Sequence, residues 1–272
     1  MISVQHIDAI NDVLQFLIDI PLDEKTKRHR SPYLYRGLSD ESHILETSLK
    51  RNCKDKRFQL ETSILRNFSK YAVLEDSSLY SSVWKQIMVG QHHGLPTRLL
   101  DWTYSPLMAL HFSMTENSLA EMSKHNSVIW KIDIEELNAL LPEIYQKKLK
   151  TEDAFLFTVD MLEQLSQNLS DYDSAMKNNA IVLIEPPSID PRIINQYSYF
   201  SIIPKDIDDI EDFLDKKTNN TVKYIISKDV RWQIRDMLDH MNISERIVYP
   251  GLDGLSQWLK RHYYVPNPKD ET

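Results

Sequence analysis

Scarcity of glycine constrains this sequence more than any single motif does. At an average usage of about 7%, a chain of this length would carry roughly 19 glycines; among its 272 residues there are five. They fall in three places: Gly37 in Tyr35-Arg36-Gly37, Gly90 and Gly94 around Gln91-His92-His93, and Gly251 and Gly254 in Pro250-Gly251-Leu252-Asp253-Gly254. Glycine is kept where positive φ or close backbone approach is needed. Those three places are where chemistry is expected.

With 42% hydrophobic and 26% charged residues the chain has the composition of a globular protein with its own core, which excludes wholesale disorder. A single cysteine, Cys53, excludes an internal disulfide or a thiolate zinc cluster and suits a cytoplasmic setting. Asp8, Asp12 and Asp19 interrupt the opening apolar residues, so no secretory signal or membrane span is expected. Lys plus Arg is 32 against 40 for Asp plus Glu, a net charge of -8. That balance argues against wrapping of nucleic acid by the whole surface but leaves room for a local basic pocket.

Apolar residues Val4, Ile7, Ile10, Val13, Leu14 and Leu17 recur at helical spacing and predict one helix over 4–18. Tyr33-Leu34-Tyr35 reads as a short strand with Arg36 and Gly37 at its end. Helices are expected over 58–74 and 79–89, the second stopped by Gly90, then a loop from Gln91 to Thr103. Ser105 and Pro106 read as N-cap and first residue of a further helix. Residues 127–133, AIVLIEPP, 199–203 and 221–227 read as strands, two acidic helices are expected near 134–149 and 152–169, and 205–220 reads as a surface excursion. A helical turn at Pro191–Gln196, a helix over 229–240, the apolar run Ile247–Tyr249 and a last helix over 252–262 complete the pattern. The expected fold is a single mixed α+β domain, helices around a short mixed or antiparallel sheet. Its parts are a lead-in over 1–29, the main domain over 30–262 with 134–178 as a helical insertion, and a tail over 263–272.

The densest group of chemistry-bearing residues runs from Gly90 to Thr103, with Gln91, His92, His93, Thr97, Arg98, Asp101 and Trp102 inside it. Two readings stand for Arg98 and Asp101: members of a pocket, or a buried ion pair that fixes the loop while Trp102 fills the core. Arg36, between a strand and a glycine, offers a forked permanent cation suited to phosphate or carboxylate; its structural alternative is a salt bridge to Asp40 or Glu41. Adjacent His92 and His93 point in different directions, so at most one of the two is expected to face a ligand while the other packs or caps a hydrogen bond. No third ligand stands at metal spacing beside them, and no metal is expected. A pocket drawn from these parts would use Arg36 and Arg98 for phosphates, Trp102 or Tyr35 for stacking, His92 or His93 as proton donor and Asp101 as orienting carboxylate.

In order along the chain, Tyr35-Arg36-Gly37, Glu61 ahead of Ile64-Leu65-Arg66-Asn67-Phe68, the block Gln91 to Ser113, Arg192 to Gln196 before Phe200, and Ile247 to Leu255 resemble the FRG domain, a family common in bacteria and phages near mobile or defence genes. More weakly, the aromatic-Arg-Gly strand end and Leu107 to Phe112 resemble the ADP-ribosyltransferases. That second resemblance implies an arginine holding the diphosphate of NAD and a late glutamate supporting an oxocarbenium-like transition state. Here Gln196 stands near the comparable strand, and Glu61 or Asp101 could replace the carboxylate if the fold brings one of them opposite Arg36. The implied function is an effector, toxin or defence-type enzyme acting on NAD or another nucleotide. NAD would be substrate, and a protein or nucleic acid a conceivable acceptor. The alternative is a noncatalytic module that binds a nucleotide, nucleic acid or protein, without a membrane partner.

Overall fold

The computed structural model of the chain describes residues 1–24, 26–72, 74, 79, 82–116, 118–187 and 191–265. Nine strands are present among them: β1 Ser3–Ile7, β2 Leu22–Asp23, β3 Arg28–His29, β4 Tyr33–Leu38, β5 Leu99–Thr103, β6 Ser127–Asp133, β7 Val182–Ile184, β8 Ser198–Ile202 and β9 Val222–Ile226. Seven form one mixed sheet in the order β1-β9-β6-β4-β5-β8-β7, and β2 and β3 pair separately. Only β1 and β9 run parallel within the sheet; the other neighbours are antiparallel. Every residue of β6 is buried, as befits a near-continuous apolar run near the sheet centre.

The helices are α1 Ile10–Ile18, α2 Ser48–Cys53, α3 Arg57–Ala72, α4 Val83–His92, α5 Pro106–Phe112, α6 Leu119–Met122, α7 Ile134–Ala139, α8 Glu143–Thr151, α9 Val159–Glu163, α10 Leu169–Met176, α11 Pro191–Gln196, α12 Ile210–Lys217, α13 Lys228–His240, α14 Glu245–Val248 and α15 Leu252–His262. The mixed α+β class expected from the sequence is the class observed. Serine and proline at 105 and 106 act as read: the Ser105 hydroxyl accepts from the Met108 amide and Pro106 opens α5.

Alternation along the strands divides the core. One sheet face buries Leu34, Leu100, Trp102, Val128 and Trp130 against Ile210, Phe213 and Leu214 of α12. The opposite face carries two separate clusters. Over β5, β7 and β8, Leu99, Phe200 and Ile202 pack against Trp84 and Ile87 of α4 and against Tyr145, Leu162 and Tyr172. Over β4, β6 and β9, Tyr35, Ile129 and Tyr224 meet Phe16 of α1, Ala109 and Leu110 of α5 and Ile234 of α13. The boundary between these two clusters falls between β4 and β5.

Several local expectations are corrected. Val4 and Ile7 belong to β1, not to the first helix, because the open edge of β9 supplies a ladder from Ser3↔Val222 to Ile7↔Ile226. The helix starts only at Ile10, where the Asp12 carboxylate accepts from the Asp8 and Ala9 amides. Arg36 and Gly37 lie within β4, which continues to Leu38 on the β6 ladder. Gly90 does not end α4; it lies inside it, where a Cβ would come within 2.6 Å of Leu95 Cδ2. The turn belongs to Gly94, at φ +80°. The second half of the expected loop 91–103 is β5, and the excursion 205–220 contains α12 with three buried apolar residues. Ile247 and Val248 end α14. Segment 134–178 forms four helices, and its Tyr145, Leu162 and Tyr172 sit in the same cluster as Leu99 of β5. Residues 80 and 81 of the expected second helix and 266–272 of the tail lie outside the described residues.

Candidate functional site

Strands β4 and β5 pair at one position, Tyr35↔Thr103, and then part. Where they separate, Arg36 Nη1 donates to the Asp101 carbonyl oxygen at 2.7 Å and to Asp101 Oδ2 at 3.3 Å, so a guanidinium takes the place of missing ladder bonds. A cleft of about 430 Å³ opens beside this contact. Its lining comes from β4 and the turn after it (Arg36, Gly37, Leu38, Ser39, His43), from the end of α4 (Gln91, His92), from Asp101 and Thr103 of β5, and from Phe112 of α5. Arg192 and Gln196 of α11 and Ser198 and Phe200 of β8 close the other side. Gly37 permits the α5 wall: a Cβ there would stand 2.0 Å from the Ala109 carbonyl oxygen, so any side chain would push α5 and Phe112 away.

Asp101 is held in a defined orientation while remaining open to solvent. Its Oδ1 accepts from Gln91 Nε2 at 3.0 Å. Gln91 Oε1 in turn accepts from the Thr97 hydroxyl at 2.6 Å, and that hydroxyl accepts from the Leu99 amide at 3.1 Å. The backbone at the start of β5 thus fixes, through two side chains, which carboxylate oxygen faces Gln91. The Asp101 side chain is nevertheless 52% exposed, against 16% for Arg36. Burial draws the Arg36 pKa down from its ordinary value and the Asp101 carboxylate opposes that shift. Arg36 Nε is buried with no hydrogen-bond partner among the described residues.

Of the sequence-derived candidates, Arg36, Gly37, Gln91, His92 and Asp101 meet in the cleft, and Thr97 acts on it through Gln91. Tyr35 and Trp102 touch the wall, but both rings belong to the core. Tyr35 packs edge-on against Phe16, burial pushing its hydroxyl up to about 12, and Trp102 Nε1 donates to Ser201 Oγ at 2.9 Å within the cluster on the other sheet face. Phe200 on the lining is likewise a core ring, 5% exposed, whereas Phe112 is only half-buried. Gln196 also lines it, yet its Nε2 donates to the Val248 carbonyl at 3.2 Å and its own carbonyl accepts from the Thr103 hydroxyl.

Arg98, Glu61 and His93 are not brought there. Arg98 Nε donates to Glu61 Oε1 at 2.7 Å and Nη1 to Asp173 Oδ1 at 2.7 Å, with all three side chains at most 6% exposed. Burial works against this guanidinium's charge, but the Glu61 and Asp173 carboxylates outweigh it and raise its pKa. Arg98 therefore ties α3 and α10 to the base of β5, and the ion pair with Asp101 considered from the sequence is replaced by Arg36–Asp101. His93 is the exposed C-cap of α4. Arg36 pairs with neither Asp40 nor Glu41. The sequence reading gave no role to Arg192, whose guanidinium carbon lies 4.9 Å from the Tyr249 ring centroid. Among the described residues no group of three His, Cys, Asp or Glu is placed to hold a metal ion.

Both halves of the Arg36–Asp101 contact, the aromatic-Arg-Gly strand and the block from Gln91 through α5, thus come from one stretch of chain. Residues 31–122 match the FRG domain model. The FRG segment supplies β4, α4, β5 and α5, and with them Arg36, Gln91, His92, Asp101 and Phe112. It ends before β6, so Arg192, Gln196, Ser198 and Phe200 reach the cleft from outside the FRG match. Searches of curated proteins and of solved structures gave no match. Among the described residues no helix is long and apolar enough to cross a membrane.

Proposed function

We propose that the cleft binds a phosphate-bearing nucleotide of the NAD class and that Asp101 supports cleavage of its N-glycosidic bond. The observation that carries this reading is the pairing of Arg36 with a half-exposed, doubly oriented carboxylate. Of the two carboxylates that could stand opposite Arg36, Asp101 does so and Glu61 does not.

Chemically, the bond between ribose C1′ and the nicotinamide nitrogen breaks with its electron pair leaving on nicotinamide. The positive charge that develops on the ribosyl group faces the Asp101 carboxylate. Water or an acceptor hydroxyl adds to C1′ and gives up its proton, for which His92 is the nearby base. Gln91 and Arg36 keep Asp101 from rotating away from the reacting carbon, while Phe112 offers an apolar face to the nicotinamide. Such an activity, in the cytoplasm, suits an effector of toxin or defence type.

Purified protein incubated with NAD should release nicotinamide, and Asp101→Asn should slow release about 100-fold, the scale of one electrostatic contact to a transition state, while NAD still binds. A noncatalytic reading is favoured by one observation, that the Asp101 charge is already met by Arg36. Thermal stabilisation by NAD without release would select it.

A further inference from the structure

The cleft has a second guanidinium, on the other side of Asp101 from Arg36. In the sheet order β5 lies between β4, which carries Arg36, and β8, which α11 leads into; Arg192 stands on α11. Arg36 shares its charge with Asp101. One cation thus stands beside a carboxylate and the other stands on an aromatic ring.

That ring is fixed from several directions. Tyr249 lies 6.1 Å, centroid to centroid, from His111 of α5. Its carbonyl oxygen would be 1.9 Å from a Cβ on Gly254, so α15 packs directly on the backbone of Tyr249. On the α11 side, Asn195 Nδ2 donates to the Ile247 carbonyl at 2.8 Å and Gln196 Nε2 to that of Val248 at 3.2 Å. The base of α14 is locked by Arg261, which bonds both Glu245 and Asp239. A guanidinium over a ring uses its face for the ring and makes hydrogen bonds in its own plane, so fixing the ring restricts where those bonds can point.

We infer that Arg192, positioned by Tyr249, forms with Arg36 a two-sided clamp for adjacent phosphates, so that the cleft selects a nucleoside diphosphate moiety over a monophosphate. This rests on the nucleotide reading above and narrows it to a substrate class. It also makes α11, α14 and α15, all outside the FRG match, part of the binding site. Arg192 is a contact residue and Tyr249 a positioning residue.

The test is calorimetric titration of the full chain with ADP and with AMP, alongside denaturant unfolding of each variant and the nicotinamide-release assay. ADP should bind about tenfold more tightly than AMP, the worth of one charge-assisted contact. Arg192→Ala should remove that preference by weakening ADP alone. Tyr249→Leu should do the same, and Tyr249→Phe, which keeps the ring, should retain it. Equal binding of ADP and AMP by the unaltered chain, or equal weakening of both by Arg192→Ala, overturns the clamp. Tyr249→Leu that folds and keeps the preference overturns the positioning role; if that variant does not fold, Arg192→Lys against Arg192→Ala tests whether the planar fork is needed. ADP preference without nicotinamide release keeps the clamp and overturns glycosidic cleavage, whereas release that ignores Arg192 does the reverse. Failure of both nucleotides to bind overturns both.

Discussion

Arg98 and Asp101 are three residues apart in sequence and end in opposite kinds of surroundings. Around Arg98 the charges form a closed set: two carboxylates and a guanidinium, each almost wholly out of water, with Asp173 also accepting from the Lys205 amide. Arg261 with Glu245 and Asp239, and Arg231 with Glu116, also hold a buried guanidinium, but against carboxylates that are 10–24% exposed. Around Asp101 the set is open, since one partner is half exposed and a ligand can reach its oxygens. Closed sets hold elements together and offer an incoming molecule nothing. The open one gives up stability for access, because an ion pair with a solvated partner contributes about 0–1 kcal/mol.

Breaking a closed set should have the largest effect. Arg98→Ala leaves Glu61 and Asp173 buried without their cation, and should cost about 3–5 kcal/mol in denaturant unfolding. A loss below about 1 kcal/mol would erase the distinction between the two regions.

Acid should act next, through His111 and Glu245. His111, 2% exposed, accepts at Nδ1 from Arg235 Nη1 at 2.9 Å; burial and then Arg235 push its pKa down from 6.5 to about 3. Burial alone would raise Glu245, but its bonds from Arg261 and the charge of Arg235 bring it from 4.5 to about 2. Both groups take up protons more readily unfolded than folded. Stability is therefore full above pH 6.5 and falls as pH drops towards 3, by up to about 1.4 kcal/mol per pH unit for each titrating group. Between pH 6.5 and 4.5 only His111 of this pair contributes, so His111→Gln should flatten that part of the unfolding profile. An unchanged slope would remove His111 from the acid response.

The smallest stability effect belongs to the cleft. Asp101→Asn and Arg36→Lys should each change unfolding free energy by less than about 1 kcal/mol, while nucleotide affinity or turnover falls. Unfolding by either substitution would place Arg36–Asp101 among the structural clusters.

The contrast between the two regions was only partly legible in the sequence. Strands β6 and β9 and the start of α5 are visible because apolar runs and an N-cap are local signals. Arg36, Gln91, His92 and Asp101 were legible through a glycine that no side chain could replace and a dense polar block. What separates Arg98 from Asp101 is nonlocal: Glu61 lies 37 residues back and Asp173 75 residues on. Had 99–103 been read as a strand, its period of two would have put Asp101 and Trp102 on opposite faces and removed the indole from the cleft. Arg192 was hidden for the same reason as Asp173, since nothing near it in sequence tells that Tyr249 lies beneath it.

The pairing of β1 with β9 bears on the time course of folding. Ser3 meets Val222 and Ile7 meets Ile226, contacts that span most of the chain. As synthesis proceeds, β1 emerges well before β9 and has no ladder until β9 has been made. Long-range pairings of this kind are closed late, because the entropy of the intervening loop is lost before the contact returns anything. β1 is therefore expected to be seated only after β9 has joined β6, with Ser3–Ile7 completing one edge of the sheet.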